Sequence, residues 1–222
     1  VTNVNDNPVS TLIDSDAGSN TVAENAAIGA VVGVTALATD ADTGATISYS
    51  LSNNAGGRFA INSSTGVVTV ASALDFETAT SHSITVLATS SDGSTNTGTY
   101  TIAVTNINEA PVITSGTTAS FAENGTGTVY TATATDVDAS TTLSYSLSGT
   151  DAARFNINSS TGAVTFVTAP NFESPTDAGA NNVYDINVIA SDGTLTATKA
   201  VAITVTNVND NPVSTLIDSD AG

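Results

Sequence analysis

The sequence predicts an all-β chain, built as two tandem seven-stranded Greek-key β-sandwiches arranged end to end. Three observations lead there. The apolar residues, 40% of the 222, are mostly Val, Ile, Ala and Leu, set among abundant Thr and Ser. Val, Ile and Thr are stiff at χ1 and favour strands, and no long run shows apolar residues at helical spacing. Short stretches alternate apolar and polar with a period of two, and turn signals bound them. The chain also repeats itself at a period of roughly 100 residues, the size of one β-sandwich.

Taken in order, the first element is Asn3-Val4-Asn5-Asp6-Asn7-Pro8, which returns as Asn106-Ile107-Asn108-Glu109-Ala110-Pro111 and as Asn207-Val208-Asn209-Asp210-Asn211-Pro212. Proline lacks a backbone donor and fixes φ, so each copy ends strand pairing and reads as a hinge. Thr46-Ile47-Ser48-Tyr49-Ser50-Leu51 alternates, and Phe59 and Ile61 continue the pattern. Asn62-Ser63-Ser64-Thr65-Gly66 is a hairpin turn ending on a glycine able to take positive φ. Val67-Val68-Thr69-Val70 returns, and Ile84-Thr85-Val86-Leu87-Ala88 and Tyr100-Thr101-Ile102-Ala103-Val104 close the repeat around Ser91-Asp92-Gly93. The second repeat matches at Ser144-Tyr145-Ser146-Leu147, at Arg154 to Gly162 and at Ser191-Asp192-Gly193, and it lengthens a loop around Ser174 to Asn181. Repeat 1 therefore covers 1–106, with 1–8 a hinge remnant of a preceding repeat. Repeat 2 covers 107–207, and 208–222 begins a third, truncated repeat. Residues 1–18 recur identically as 205–222, so the chain is expected to be a cut-out from a longer alternating array.

Asp and Glu number 21 against 3 Lys and Arg, a formal net charge of −18. Such a surface repels nucleic acid and anionic membrane. No apolar run is long enough to span a bilayer, and the absence of cysteine excludes disulfide staples and thiolate metal sites. Nothing nucleophilic recurs with a partner, so an enzyme is not expected. His82, the single histidine, has Tyr184 as its counterpart in the second repeat and reads as an exposed strand residue. Tyr49, Tyr145, Phe59, Phe155, Phe76 and Phe172 recur and read as core, while Arg58 and Arg154 read as structural.

The acids recur too. Glu24 matches Glu123, Asp40 and Asp42 match Asp136 and Asp138, Glu77 matches Glu173, and Asp92 matches Asp192, with Asp6 and Glu109 in the hinges. A solubilising surface does not require matched positions. Calcium does, because it takes six to eight oxygens from carboxylates, amides and carbonyls. An EF-hand starting at Asp40 would need Glu where Leu51 stands, and the glycine-rich nonapeptide of calcium β-rolls is absent.

This pattern resembles the cadherin repeat over nearly the whole chain. The hinge motif, the lone glutamates Glu24 and Glu123, Asp75-Phe76-Glu77 with its counterpart Asn171-Phe172-Glu173, the Asp-x-Asp pairs at 40–42 and 136–138, and the late Asp92 and Asp192 follow the family's order twice. The resemblance implies calcium bound between repeats. The central junction would use Glu24, Asp75, Glu77, Asn108, Glu109, Asp136, Asp138 and Asp192, whose seven carboxylates match about three divalent ions. Asn5, Asp6, Asp40, Asp42 and Asp92 would serve the junction before repeat 1, and Glu123, Glu173, Asn209 and Asp210 the one after repeat 2, weakened by Asn171. Asp14 and Asp16 precede Glu24 by about ten residues, a strand of ~30 Å, and are expected near Asp40 and Asp42 as an added ligand pair.

The near-identical repetition, acidity and lack of cysteine resemble extender regions of large bacterial surface adhesins of the repeats-in-toxin type. The expected role is mechanical: an extracellular, monomeric, calcium-stiffened rod that holds a distal ligand-binding domain away from the cell and supports adhesion and biofilm. Its partners would be neighbouring repeats of the same chain. The alternative is that the repeats themselves bind, homophilically or as a carbohydrate-binding module.

Overall fold

A computed structural model describes residues 5–139 and 141–209, and Asp210, assigned to the last hinge, lies outside them. The chain divides into two compact units, residues 1–107 and 108–222.

Unit 1 holds eight strands among its described residues: β1 (Ile13–Asp14), β2 (Thr21–Ala23), β3 (Val31–Leu37), β4 (Ile47–Asn53), β5 (Phe59–Ile61), β6 (Val67–Val70), β7 (Ser81–Ser90) and β8 (Thr95–Thr105). They form two four-stranded sheets, β2-β8-β7-β4 and β1-β3-β6-β5. β2 pairs with β8 in parallel, Val22 opposite Val104. The sequence pattern, which reports faces and not directions, did not show this. The pairing has a functional consequence: the residue after β2, Glu24, is brought to the C-terminal end of β8, where its N–H donates to the Thr105 carbonyl at 3.2 Å. The β7–β8 turn carrying Asp92 lies at the other end of β8, an 11-residue strand of roughly 35 Å.

The period-two pattern of the long strands builds the core. Ile84, Val86 and Ala88 point inward from β7, Val32, Val34 and Ala36 from β3, and Val68 and Val70 from β6, all at most 1% exposed. Each such branched side chain taken out of water stabilises the fold by ~1.5–3 kcal/mol. Tyr49 belongs to this core and keeps its hydroxyl satisfied by accepting from the Ala38 N–H at 3.0 Å. The β5–β6 turn forms as the sequence reads. Asn62 Oδ1 accepts from the N–H groups of Ser64 and Thr65 at 2.9 and 3.0 Å. Gly66 has φ +72°, and a Cβ there would stand 2.1 Å from the Ala36 carbonyl oxygen, so glycine is required twice over.

Unit 2 repeats this plan with nine strands among its described residues: β9 (Val112–Ile113), β10 (Thr118–Ala122), β11 (Thr128–Thr131), β12 (Ala134–Thr135), β13 (Ser144–Ser148), β14 (Phe155–Ile157), β15 (Ala163–Phe166), β16 (Val183–Ser191) and β17 (Thr196–Thr206). β10-β17-β16-β13 make one sheet, again with a parallel first pair, and β11-β15-β14 and β12-β9 make the others. Where unit 1 has the single strand β3, unit 2 has β11 and β12, with the strand interrupted between Thr131 and Ala134, which accounts for one extra strand. Tyr145 repeats the Tyr49 bond, accepting from the Ala134 N–H at 3.1 Å.

One reading is corrected here. His82 is not an exposed strand residue: it is half-buried, with its ring edge-on to Phe59 at a centroid distance of 5.8 Å. Its counterpart Tyr184 is 1% exposed and meets Phe155 in the same way at 5.7 Å. Both lie on the core face because β7 and β16 enter their ladders earlier than the apolar run suggests.

Candidate metal centre

The end of unit 1 near the β8 C-terminus is organised by Glu24. It is buried, and its carboxylate is held from two directions: Oε2 accepts from the Phe76 N–H and Oε1 from the Ile107 N–H, both at 2.8 Å. These bonds use one acceptor site on each oxygen and leave the others open. Asp75 sits in a tight turn, with Oδ1 accepting from the Thr78 N–H (3.0 Å) and Oδ2 from the Thr78 hydroxyl (2.7 Å). The Thr78 hydroxyl and N–H keep the Asp75 carboxyl below its ordinary value. One carboxylate oxygen each from Glu24, Asp75 and Glu77 lies within 4.8 Å of the others.

The opposite end of unit 1 gathers Asp40, Asp42 and Asp92, again with oxygens mutually within 4.8 Å. The hinge closes over them. Asp42 Oδ2 accepts from the N–H groups of Asp6 and Asn7, both at 3.2 Å, and Oδ1 from the Asn7 amide at 3.0 Å. Asp40 Oδ1 accepts from the Asp42 N–H at 2.9 Å, and Asp40 Oδ2 from the Ser94 hydroxyl at 3.3 Å. Asp92 Oδ1 accepts from the Ser94 N–H at 2.8 Å, a bond that holds its carboxyl below the usual range. Its Oδ2 is shut off from solvent and has no hydrogen-bond partner among the described residues. Asn5 is exposed at this end.

Unit 2 carries the matching residues, Asp136, Asp138 and Asp192 toward one end and Glu123 and Glu173 toward the other. Asp136 Oδ1 accepts from the Asp138 N–H (3.0 Å), and Asp138 Oδ2 from the Glu109 N–H (2.9 Å). Asp192 Oδ2 accepts from the Asn108 amide (2.8 Å), and Oδ1 from the N–H groups of Thr194 and Leu195. The Asn108 amide, then these two N–H groups, lower its carboxyl. Asp136 Oδ2, like Asp92 Oδ2, is sealed and unpartnered among the described residues. At the other end Glu123, 2% exposed, accepts from the Phe172 N–H and the Val208 N–H, both at 2.8 Å, and these hold it below the ordinary glutamate value. Glu173 Oε1 accepts from the Asn207 amide at 2.7 Å, and Asn209 is exposed.

Asp14 and Asp16 do not reach the Asp40 cluster. β1 runs antiparallel to β3 with Asp14 opposite Ala36, so each residue past Ile13 moves away from Asp40. Asp14 Oδ1 instead accepts from the N–H groups of Thr35 (3.0 Å) and Asp16 (3.1 Å), and Asp16 Oδ1 from the Gly18 N–H (2.7 Å). They shape an edge turn. The sequence reading missed Ser94 and the Ile107 N–H, which orient Asp40, Asp92 and Glu24. Recurrence cannot find them because backbone groups and hydroxyls carry no distinctive pattern.

The donor set fits a hard divalent cation. Carboxylate oxygens crowd within 4.8 Å at both ends of unit 1, Asp92 Oδ2 in one of those sets and Asp136 Oδ2 in unit 2 are sealed without a hydrogen-bond partner among the described residues, and the chain has only three Lys and Arg. Oxygen-only ligands suit calcium over zinc or copper.

Residues 18–105 match the cadherin domain family. Protocadherin Fat 4 of Mus musculus is 39% identical over 159 residues, 66% of this chain and 3% of that protein. Protocadherin Fat 1 of Homo sapiens is 32% identical over 246 residues, 98% of this chain and 5% of that protein. The crystal structure of mouse cadherin-23 EC22-24 superposes with a TM-score of 0.64 at 31% identity, covering 92% of this chain and 66% of that one. The protocadherin gammaB7 EC3-6 cis-dimer structure gives 0.62 at 26% identity, covering 93% and 52%. These relatives are animal cadherins and protocadherins, and the chain spans a few per cent of the length of the two whole proteins.

Proposed function

Residues 18–105 are a cadherin domain and the chain's fold is cadherin-like; from that premise we propose that the chain is a calcium-stiffened extender segment of an extracellular adhesion protein. The observation that carries the reading is the Asp40-Asp42-Asp92 set, three carboxylates drawn together with one oxygen sealed and unpartnered. Glu24, Asp75 and Glu77 form the second set of unit 1. Asn108, Glu109, Asp136, Asp138 and Asp192 begin unit 2, and Glu123 and Glu173 end it. Calcium supplies positive charge to these oxygens and couples successive repeats. The protein groups do the rest: backbone N–H groups hold the carboxylates of Glu24, Asp42, Asp92, Asp138 and Asp192, and the hinge amides of Asn7 and Asn108 donate to Asp42 and Asp192. Without the ion, like charges at these distances repel by several kcal/mol at protein-surface dielectric.

The identical 18-residue stretches, the acid excess and the absence of cysteine support a place in a long array from a large bacterial adhesin of the repeats-in-toxin type, with a distal binding domain. The segment acts as a monomer outside the cell and has no catalytic role. Small-angle scattering tests the reading. The chain in millimolar calcium gives a larger radius of gyration than in chelator, and an unchanged radius refutes the extender role. The cis-dimer among the similar structures favours a second reading, in which the repeats pair with another chain. Calcium-dependent dimerisation in sedimentation runs would select it.

A further inference from the structure

We infer that the calcium site at the Glu123 end of unit 2 is one ligand short, so that it fills only at a calcium concentration well above that required at the Glu24 end of unit 1. The inference rests on the calcium reading above and concerns how the two ends differ.

The two ends share a frame. Glu24 and Glu123 are both buried and each accept two backbone N–H bonds at 2.8 Å, from Phe76 and Ile107 in one case and Phe172 and Val208 in the other. The turn that follows is also the same: Asp75 Oδ1 accepts from the Thr78 N–H at 3.0 Å, and Asn171 Oδ1 from the Ser174 N–H at 2.8 Å. This shared bond decides the chemistry. It orients the Asn171 amide with its carbonyl oxygen at the turn, so the Asn171 amide nitrogen stands where Asp75 keeps its second oxygen. An amide nitrogen carries two N–H donors and no acceptor lone pair. It cannot ligate a cation, and its positive hydrogens oppose one.

The substitution thus takes one formal charge and one oxygen from a set of three acids, leaving Glu123 and Glu173. Ligand charge count is a main determinant of calcium affinity. As calcium falls, the Glu123 end empties first while the Glu24 end stays filled. A chain of such units would soften at alternate points before it softened everywhere.

Calcium titration calorimetry on the 222-residue chain tests this with three proteins: the natural chain, Asn171→Asp and Asp75→Asn. Thermal unfolding in chelator checks that each is folded. The expected result is that Asn171→Asp tightens the weakest class of sites about tenfold or adds an ion to the stoichiometry, while Asp75→Asn weakens a tight class by a similar factor. An isotherm unchanged by Asn171→Asp but weakened by Asp75→Asn overturns the inference and leaves the calcium reading standing. No calcium heat from any of the three overturns both.

Discussion

His82 Nε2 is sealed from water without a hydrogen-bond partner among the described residues, and its ring stands edge-on to Phe59. Burial first, and the Arg58 charge second, push its titration below the ordinary imidazole value. A histidine whose folded value is depressed stays neutral in the fold while the unfolded chain takes up protons. Its contribution is therefore complete above the unfolded value near 6.5 and is lost as pH falls below it toward the folded value. In chelator, the natural chain should lose more thermal stability between pH 7 and pH 5 than His82→Phe, which keeps the ring contact and removes the titration. Equal losses in the two proteins would show that the imidazole carries no such penalty. Tyr184 meets the same core position without the problem, because its hydroxyl reaches Thr176 at 3.2 Å.

At the scale of elements, the two units differ most in the segment before the penultimate long strand. Unit 2 there carries a longer loop, and the loop is organised by two buried acids absent from unit 1. Asp177 accepts from the N–H groups of Asn181 (2.9 Å) and Asn182 (3.0 Å). Asp151 accepts from Ala178 (2.7 Å) and Asp185 (2.8 Å) and so ties the loop to β16. They are 6% and 4% exposed. These carboxylates do for the loop what ladder bonds do for a strand. Asp177→Ala should leave two backbone donors unsatisfied and lower stability by about 1–3 kcal/mol in denaturant unfolding. The calcium isotherm should be unchanged, since neither acid joins a carboxylate cluster. A loss of calcium heat in this variant would mean that the loop helps to place Glu173.

At the scale of the whole molecule, the charge of −18 sets the terms. Without a divalent ion the repulsion is carried by the folded state alone and by mobile salt, with a Debye length of about 10 Å at 0.1 M. In chelator the melting temperature should therefore climb between 20 mM and 500 mM sodium chloride. In calcium the dependence should flatten, because bound ions already neutralise the crowded acids. Parallel salt dependence with and without calcium would mean that the clusters do not bind it. Two of the three basic residues are taken up by backbone carbonyls. Lys199 is spent on the carbonyls of Ile113 (3.2 Å) and Ser115 (2.6 Å), and Arg58 on the Ala55 carbonyl (3.1 Å).

The sequence by itself determined the all-β class, the period-two pattern of the long strands and the positions at which acids recur. Period-two alternation fixes which face of a strand is buried, and acids matched at matched turns mark candidate ligands in the linear sequence. The glycines at 66 and 162 were legible for the same reason, as the turn needs positive φ wherever it occurs. Only the tertiary structure decided what the acids face. The parallel pairing of β2 with β8 carries Glu24 to Ile107, the register of β1 on β3 takes Asp14 away from Asp40, and the Ser174 bond turns the Asn171 amide nitrogen toward the place of an oxygen. Each depends on strand direction, register or the one hydrogen bond that orients a side chain. A linear pattern of residue types contains none of these.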